Sequence, residues 1–181
     1  MGMTITEALA EIKTLNKRLD KKRMFVLSFL SRPDAIRDPL AKDGGSAFVL
    51  AAERQSIADL EARIVFLRRE IQRANEQESA SVGGSTKTLA NWLIWRREVA
   101  PAQRTFLGQL RQNIDSVRVN AKRQGAAVVS PGATAAQPTD IIVNIDERVL
   151  ANEIETLEQT LGDLDGVLSL KNATVTLHNV A

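Results

Sequence analysis

One repeat constrains this chain more than any other feature. Leu50, Glu53, Ile57, Leu60, Ile64, Leu67, Ile71 and Ala74 follow one another in strict three- and four-residue steps, with Glu53 the only charged member. At 3.6 residues per turn such spacing lays all eight side chains along one stripe of a helix. Ser46 stands where a cap is wanted, and a helix from there to about Gln77 would be roughly 48 Å long. A helix of that length needs a partner along it, because its stability comes from packing one apolar stripe.

The partner is close by. Thr4 followed by Glu7 has the spacing of a capping box, in which each side chain satisfies a free backbone N–H of the other. From there Ile5, Ala8, Ile12, Leu15, Leu19, Lys22, Val26 and Phe29 form a second heptad seam, broken only by Lys22. Lys22 calls for something acidic nearby, and Glu53 on the other seam would serve. Arg32-Pro33 stops the helix, and two prolines with Gly44-Gly45 mark residues 33–45 as a loop. The expected architecture is therefore mainly α, beginning with a long, coiled-coil-like antiparallel hairpin.

Residues 79–85, with Gly83-Gly84, read as a loop or a small β-hairpin. A third helix starts near Thr86 or Thr88 and runs through Trp92, Leu93, Val99, Phe106, Leu110, Ile114 and Val117 to a stop near Gly125. Pro101 should kink it or open a new helix in its first turn. Residues 125–138 (GAAVVSPGATAAQP) are small, uncharged and proline-bearing, and read as an extended linker. After it come a short β-branched strand over residues 141–145, a fourth helix capped by Asp146 with seam Leu150, Ile154, Leu157, Leu161, Leu164 and Leu168, and a last strand over residues 174–178. The division expected is residues 1–124 for the hairpin and third helix, 125–138 for the linker, and 139–181 for a C-terminal strand-helix-strand (β-α-β) docking element.

Little points to chemistry. The chain has no cysteine and a single histidine, His178, which excludes disulfides, thiolate chemistry and any Cys/His metal cluster. Gly83-Gly84-Ser85-Thr86-Lys87-Thr88 lacks the spacing of a phosphate-binding loop. No apolar run approaches the roughly 20 residues of a membrane span, and the first residues lack a secretory signal pattern. No enzyme activity, cofactor, metal, small-molecule substrate or membrane partner is expected. Localisation follows the source: the virion if phage-encoded, otherwise the cytoplasm.

Charge is the remaining clue. Residues 86–138 hold eight Lys/Arg against two Asp/Glu, and residues 139–181 two against eight. Arg104, Arg111 and Arg118 recur every seven residues, and Arg96 and Arg97 follow the pair Trp92 and Trp95. Aromatics beside arginines are how single-stranded nucleic acid is held. The alternative reading packs both tryptophans in an apolar junction and sets the arginines against the acidic fourth helix, which explains both charge excesses at once.

Four stretches, TITEALAEIKTLNKRLDKK, LEARIVFLRREIQRAN, TLANWLIWRREV and LGDLDGVLSLKNATVTL, together resemble helical proteins encoded among the virion structural genes of tailed bacteriophages. The layout is also loosely similar to the septicolysin-like family of small helical bacterial proteins. The resemblance implies an oligomeric structural part at the head, head-to-tail connection or tail, and brings no catalytic residues. Expected contacts with other copies or other structural proteins fall on Leu60, Ile64, Leu67 and Ile71, on Trp92 and Trp95, on Ile141 and Val143, on Leu157 and Leu161, and on Val175 and Leu177. The alternative is a nucleic-acid-binding or genome-packaging accessory using Arg96, Arg97, Arg104, Arg111 and Arg118.

Overall fold

A computed structural model describes residues 2–134, 137–178 and 180, and it is mainly helical. In chain order the elements are α1 (Ile5–Ser28), α2 (Ser46–Gln77), β1 (Ser79–Val82), β2 (Ser85–Thr88), α3 (Leu89–Ile94), a π-helical turn (Trp95–Val99), α4 (Ala100–Gln124), β3 (Val128–Val129), β4 (Ile141–Ile142) and α5 (Glu147–Thr174). They form two compact units, one of Met1–Gln77 with Ser169–Ala181, the other of Glu78–Leu168. This division differs from the one read off the sequence because α5 supplies core residues to the second unit while the chain beyond Leu168 belongs to the first. Met1, Ala135 and Ala136 of the expected linker, and Asn179 and Ala181 of the expected C-terminal element, lie outside the described residues.

In the first unit the capping box forms as read: the Thr4 N–H donates to Glu7 Oε2 at 2.7 Å and the Glu7 N–H to Thr4 Oγ1 at 3.2 Å. The bond from the Thr4 backbone N–H, and then that from its hydroxyl, holds the pKa of Glu7 below the ordinary carboxylate value. α1 and α2 lie against each other in opposite directions, since Lys22 meets Glu53 at 2.7 Å while Glu11 meets Arg63 at 2.8 Å. α1 ends at Ser28, before Pro33 would force it to. Ser46 is not the cap of α2 but its first residue. Asp38, eight residues upstream, accepts its N–H and its hydroxyl, and also the Leu40 N–H.

The seam is not evenly covered. Ile5, Ala8, Ile12, Leu15 and Leu19 of α1 and Leu67, Ile71 and Ala74 of α2 are buried. Toward the loop, Val26, Phe29, Leu50, Ile57, Leu60 and Ile64 are only half-buried. Two helices alone cover only one side of an apolar stripe, and the closed end owes its dryness to a third layer. Val175, Leu177 and Val180 pack there, held because the Ile5 N–H donates to the Val175 carbonyl at 3.2 Å and the Leu177 N–H to the Met3 carbonyl at 2.8 Å. The last strand expected over residues 174–178 is thus corrected: α5 runs on through Thr174, and a single antiparallel bridge pairs Thr176 with Thr4.

In the second unit residues 79–88 form a β-hairpin with Val82 opposite Ser85. Gly83 and Gly84 both take positive φ (55° and 76°), the backbone of the tight turn whose twist suits two antiparallel strands. Thr88 then caps α3 by accepting the Asn91 N–H. Trp92 is buried and its indole N–H donates to the Ala80 carbonyl at 2.9 Å, while Leu89, Leu164 and Leu168 complete the core with Ala80 and Val82. Pro101 has no N–H to give and its ring would crowd the carbonyl four residues back. The helix meets this by widening one turn: the Ala100 N–H reaches the Trp95 carbonyl, five residues back, and Pro101 falls in the first turn of α4.

Gly125, at φ 73°, ends α4 with the Ala126 N–H donating to the Ala121 carbonyl. The stretch expected as a linker, residues 125–138, is tied down at points along its length. Its Val128–Val129 pairs in parallel with Ile141–Ile142, and the Asp140 carboxylate accepts the Ala127 and Gln137 N–H groups. The strand expected over 141–145 is shorter than read, Ile141–Ile142, and its partner is β3. Asp146 caps α5 as expected, accepting the Arg148 N–H at 2.8 Å.

Candidate interaction surfaces

The charge complementarity of the two halves is realised side chain by side chain in the second unit. Arg96 meets Asp165 at 2.8 Å, Arg104 meets Glu158 at 2.7 Å, and Arg118 meets Glu147 as well as Asp115 on its own helix. Arg97 pairs with its neighbour Glu98 at 2.7 Å. These pairs are largely exposed, so each is worth about 0–1 kcal/mol, and their effect is to orient α4 and α5 more than to hold them. Of the five arginines singled out in the sequence, Arg111 alone has no carboxylate within ion-pair distance among the described residues; Lys122 and Arg123 share that condition.

The tryptophans are placed as packing residues. Trp92 is buried, Trp95 half-buried, and their rings meet edge to face at 5.6 Å. The Lys87 ammonium stands 4.6 Å from the centre of the Trp92 ring. A buried ring capped by a cation offers no open face for a base to stack on.

No family model matches the chain, no curated protein does, and no solved structure does.

Between α4 and α5 the ion pairs span open grooves. One, of about 690 Å³, is lined by Trp95, Phe106, Leu107, Val149 and Leu157 together with Gln103, Asn152 and Glu153. A second of about 290 Å³ lies around Arg111, Ile114 and Leu150. Among the described residues no three His, Asp or Glu side chains converge as a cation site, and no helix is long and apolar enough to cross a membrane.

The expected contact residues divide by burial. Leu67, Ile71, Trp92, Leu157 and Leu177 are buried within their own units, so their packing is already taken up. Leu60, Ile64, Trp95, Ile141, Val143, Leu161 and Val175 are half-buried and keep apolar surface toward water. Sequence reasoning missed the apolar residues that lie off the seam, chiefly Met24, Leu27, Leu30, Ile36 and Phe48. The run MFVLSFL over residues 24–30 carries the signal: apolar side chains on every side of a helix cannot all face one partner.

Proposed function

We propose that this chain is a non-enzymatic assembly subunit, built around a coiled-coil-like helical hairpin, that binds copies of itself and other structural proteins. The observation that carries this reading is the half-open seam: Leu60 and Ile64 pack against the core but stay half-buried, and beyond them Leu50 and Ile57 lack the covering layer that closes the other end. A stripe kept apolar where the chain itself does not bury it is suited to another chain. The open grooves along α4 and α5 extend the same demand to the second unit. The sequence resemblance supports a place in a tailed-bacteriophage particle, at the head, head-to-tail connection or tail, with localisation in the virion. Repeated copies there would meet through ring or lattice contacts.

Light scattering on the purified chain tests this. A mass at a multiple of 19.8 kDa is expected. A monomer at every concentration up to the tens of micromolar would overturn self-assembly.

The alternative, a nucleic-acid-binding accessory, retains Arg111, Lys122 and Arg123 as cations without a carboxylate partner among the described residues. It loses Arg96, Arg104 and Arg118 to the ion pairs with α5.

A further inference from the structure

The loop end of the helix pair carries five large apolar side chains that its own seam does not use. Met24 is 63% exposed, Leu27 62%, Leu30 69%, Ile36 55% and Phe48 67%. All lie in the last turns of α1, the loop, or the first turn of α2. Single exposed apolar residues are ordinary, but five gathered at one end of a helix pair are not.

Hydrogen bonds also tie this end down. Asp38 ties the loop to α2 through the Ser46 N–H and hydroxyl, and Arg32 Nη1 donates to the Ile36 carbonyl at 2.6 Å. Gly44 takes φ 95°, and a Cβ there would stand 3.0 Å from the Phe48 ring. Ile36 and Phe48 are thus presented on fixed backbone, so little ordering entropy is left for a contact to overcome. The loop's charges cancel: Arg32, Arg37 and Lys42 stand against Asp34, Asp38 and Asp43.

We infer that two copies of the chain meet at this end, tip to tip about a two-fold axis; the inference rests on the assembly reading above and names one of its contacts. A two-fold contact needs a surface that complements itself, and a loop of zero net charge with both signs interspersed meets its own copy without net repulsion. The area suffices. At roughly 100 Å² of exposed surface for each of the five side chains, two copies that covered all of them would bury about 1,000 Å², the lower limit for a specific interface. An anionic lipid surface fits less well, since a loop of zero net charge offers it no net attraction.

The chain has no cysteine, so single cysteines report the contact directly. Leu27→Cys, Leu30→Cys and Ile36→Cys, each in the full chain, should give a covalent dimer with a short bismaleimide. Val65→Cys, exposed in the middle of α2, should not. A Met24→Asp/Leu27→Asp/Phe48→Asp variant should keep its helical circular dichroism and lose about half its assembled mass or more. Tip cysteines that yield no dimer, with an Asp variant of unchanged mass, would overturn the tip contact while the assembly reading stood. A wild-type monomer would end both. Co-sedimentation of the wild type with anionic phosphatidylserine vesicles, abolished in the Asp variant and without any tip cross-link, would overturn the contact in favour of a lipid surface.

Discussion

The Lys22 ammonium lies 2.7 Å from Glu53 Oε2, and both residues occupy seam positions of otherwise apolar heptads. Their side chains retain 30% and 28% of their exposure, so the pair is neither a solvated bridge nor a buried one. One polar pair in an apolar seam sets register, because sliding either helix by a turn would set a charge against Leu or Ile. A double-mutant cycle of Lys22→Ala and Glu53→Ala should return a coupling of about 0.5–1 kcal/mol, toward the upper end for exposed pairs. Zero coupling would mean that the contact does not set register.

The uneven burial of the seam makes two leucines on one helix unequal. Leu67 is fully buried, and Leu67→Ala should cost roughly 2–5 kcal/mol in urea unfolding. Leu60 is half-buried, and Leu60→Ala should cost about half as much in the isolated chain. The comparison also reads assembly. A Leu60→Ala cost that climbs with protein concentration would show that another chain covers this stretch, whereas a cost equal to that of Leu67→Ala at every concentration would contradict the open seam.

Asp38 supplies a dependence on pH. Three hydrogen bonds, the one from the Ser46 hydroxyl foremost and then those from the Ser46 and Leu40 N–H groups, hold its carboxyl down from 3.8 to about 2. A carboxylate depressed in the folded state contributes stability that is complete above its unfolded value and fades as pH falls toward its folded one. Wild type and Asp38→Ala should therefore differ by a constant amount above about pH 4 and converge between 3.8 and about 2. Chemical denaturation at stepped pH would show this. A gap that persists unchanged below pH 2 would assign the role of Asp38 to something other than its charge.

Features that depend on a few neighbouring residues were legible in the sequence. The Thr4–Glu7 box, the Asp146 cap, the stop at Gly125 and the Gly83-Gly84 turn each involve no more than a handful of successive positions. Lys22 with Glu53 was legible because two seams, once aligned, leave few places for a charge. The pairing of Val128–Val129 with Ile141–Ile142, and of Thr176 with Thr4, was not. Strand partners are chosen by what the helices bring together, and two-residue strands carry no pattern of their own. The capping of α2 by Asp38 was hidden for a related reason, since Ser46 offered a closer candidate and nothing local pointed eight residues back.

These misplaced pairings change what a truncation should do. Read as a docking module on a strap, residues 125–181 ought to be dispensable for folding, leaving a soluble helix pair. In the structure they supply Leu164 and Leu168 to the core around Trp92, and Leu177 and Val180 to the core around Ile5. Their removal should leave both units without a layer, and a chain ending at Gln124 is expected to lose most of its cooperative thermal transition. A truncated chain that melts as sharply as the full one would restore the docking-module reading.

The ion pairs of α4 give the sharpest separation of the two functional readings. Glu147→Gln/Glu158→Gln/Asp165→Asn would release Arg104 and Arg96 and leave Arg118 only Asp115 of its own helix, while removing only pairs worth about 0–1 kcal/mol each. Stability should therefore change little, whereas heparin or DNA retention should rise and should weaken steeply with added salt, as phosphate-driven binding must. The wild type, with those arginines engaged, should elute at clearly lower salt. Wild-type retention as strong as the variant's would mean that phosphate displaces the carboxylates of α5, and the basic face of α4 would then have to be read as a nucleic-acid surface rather than as the charged lining of a helix pair.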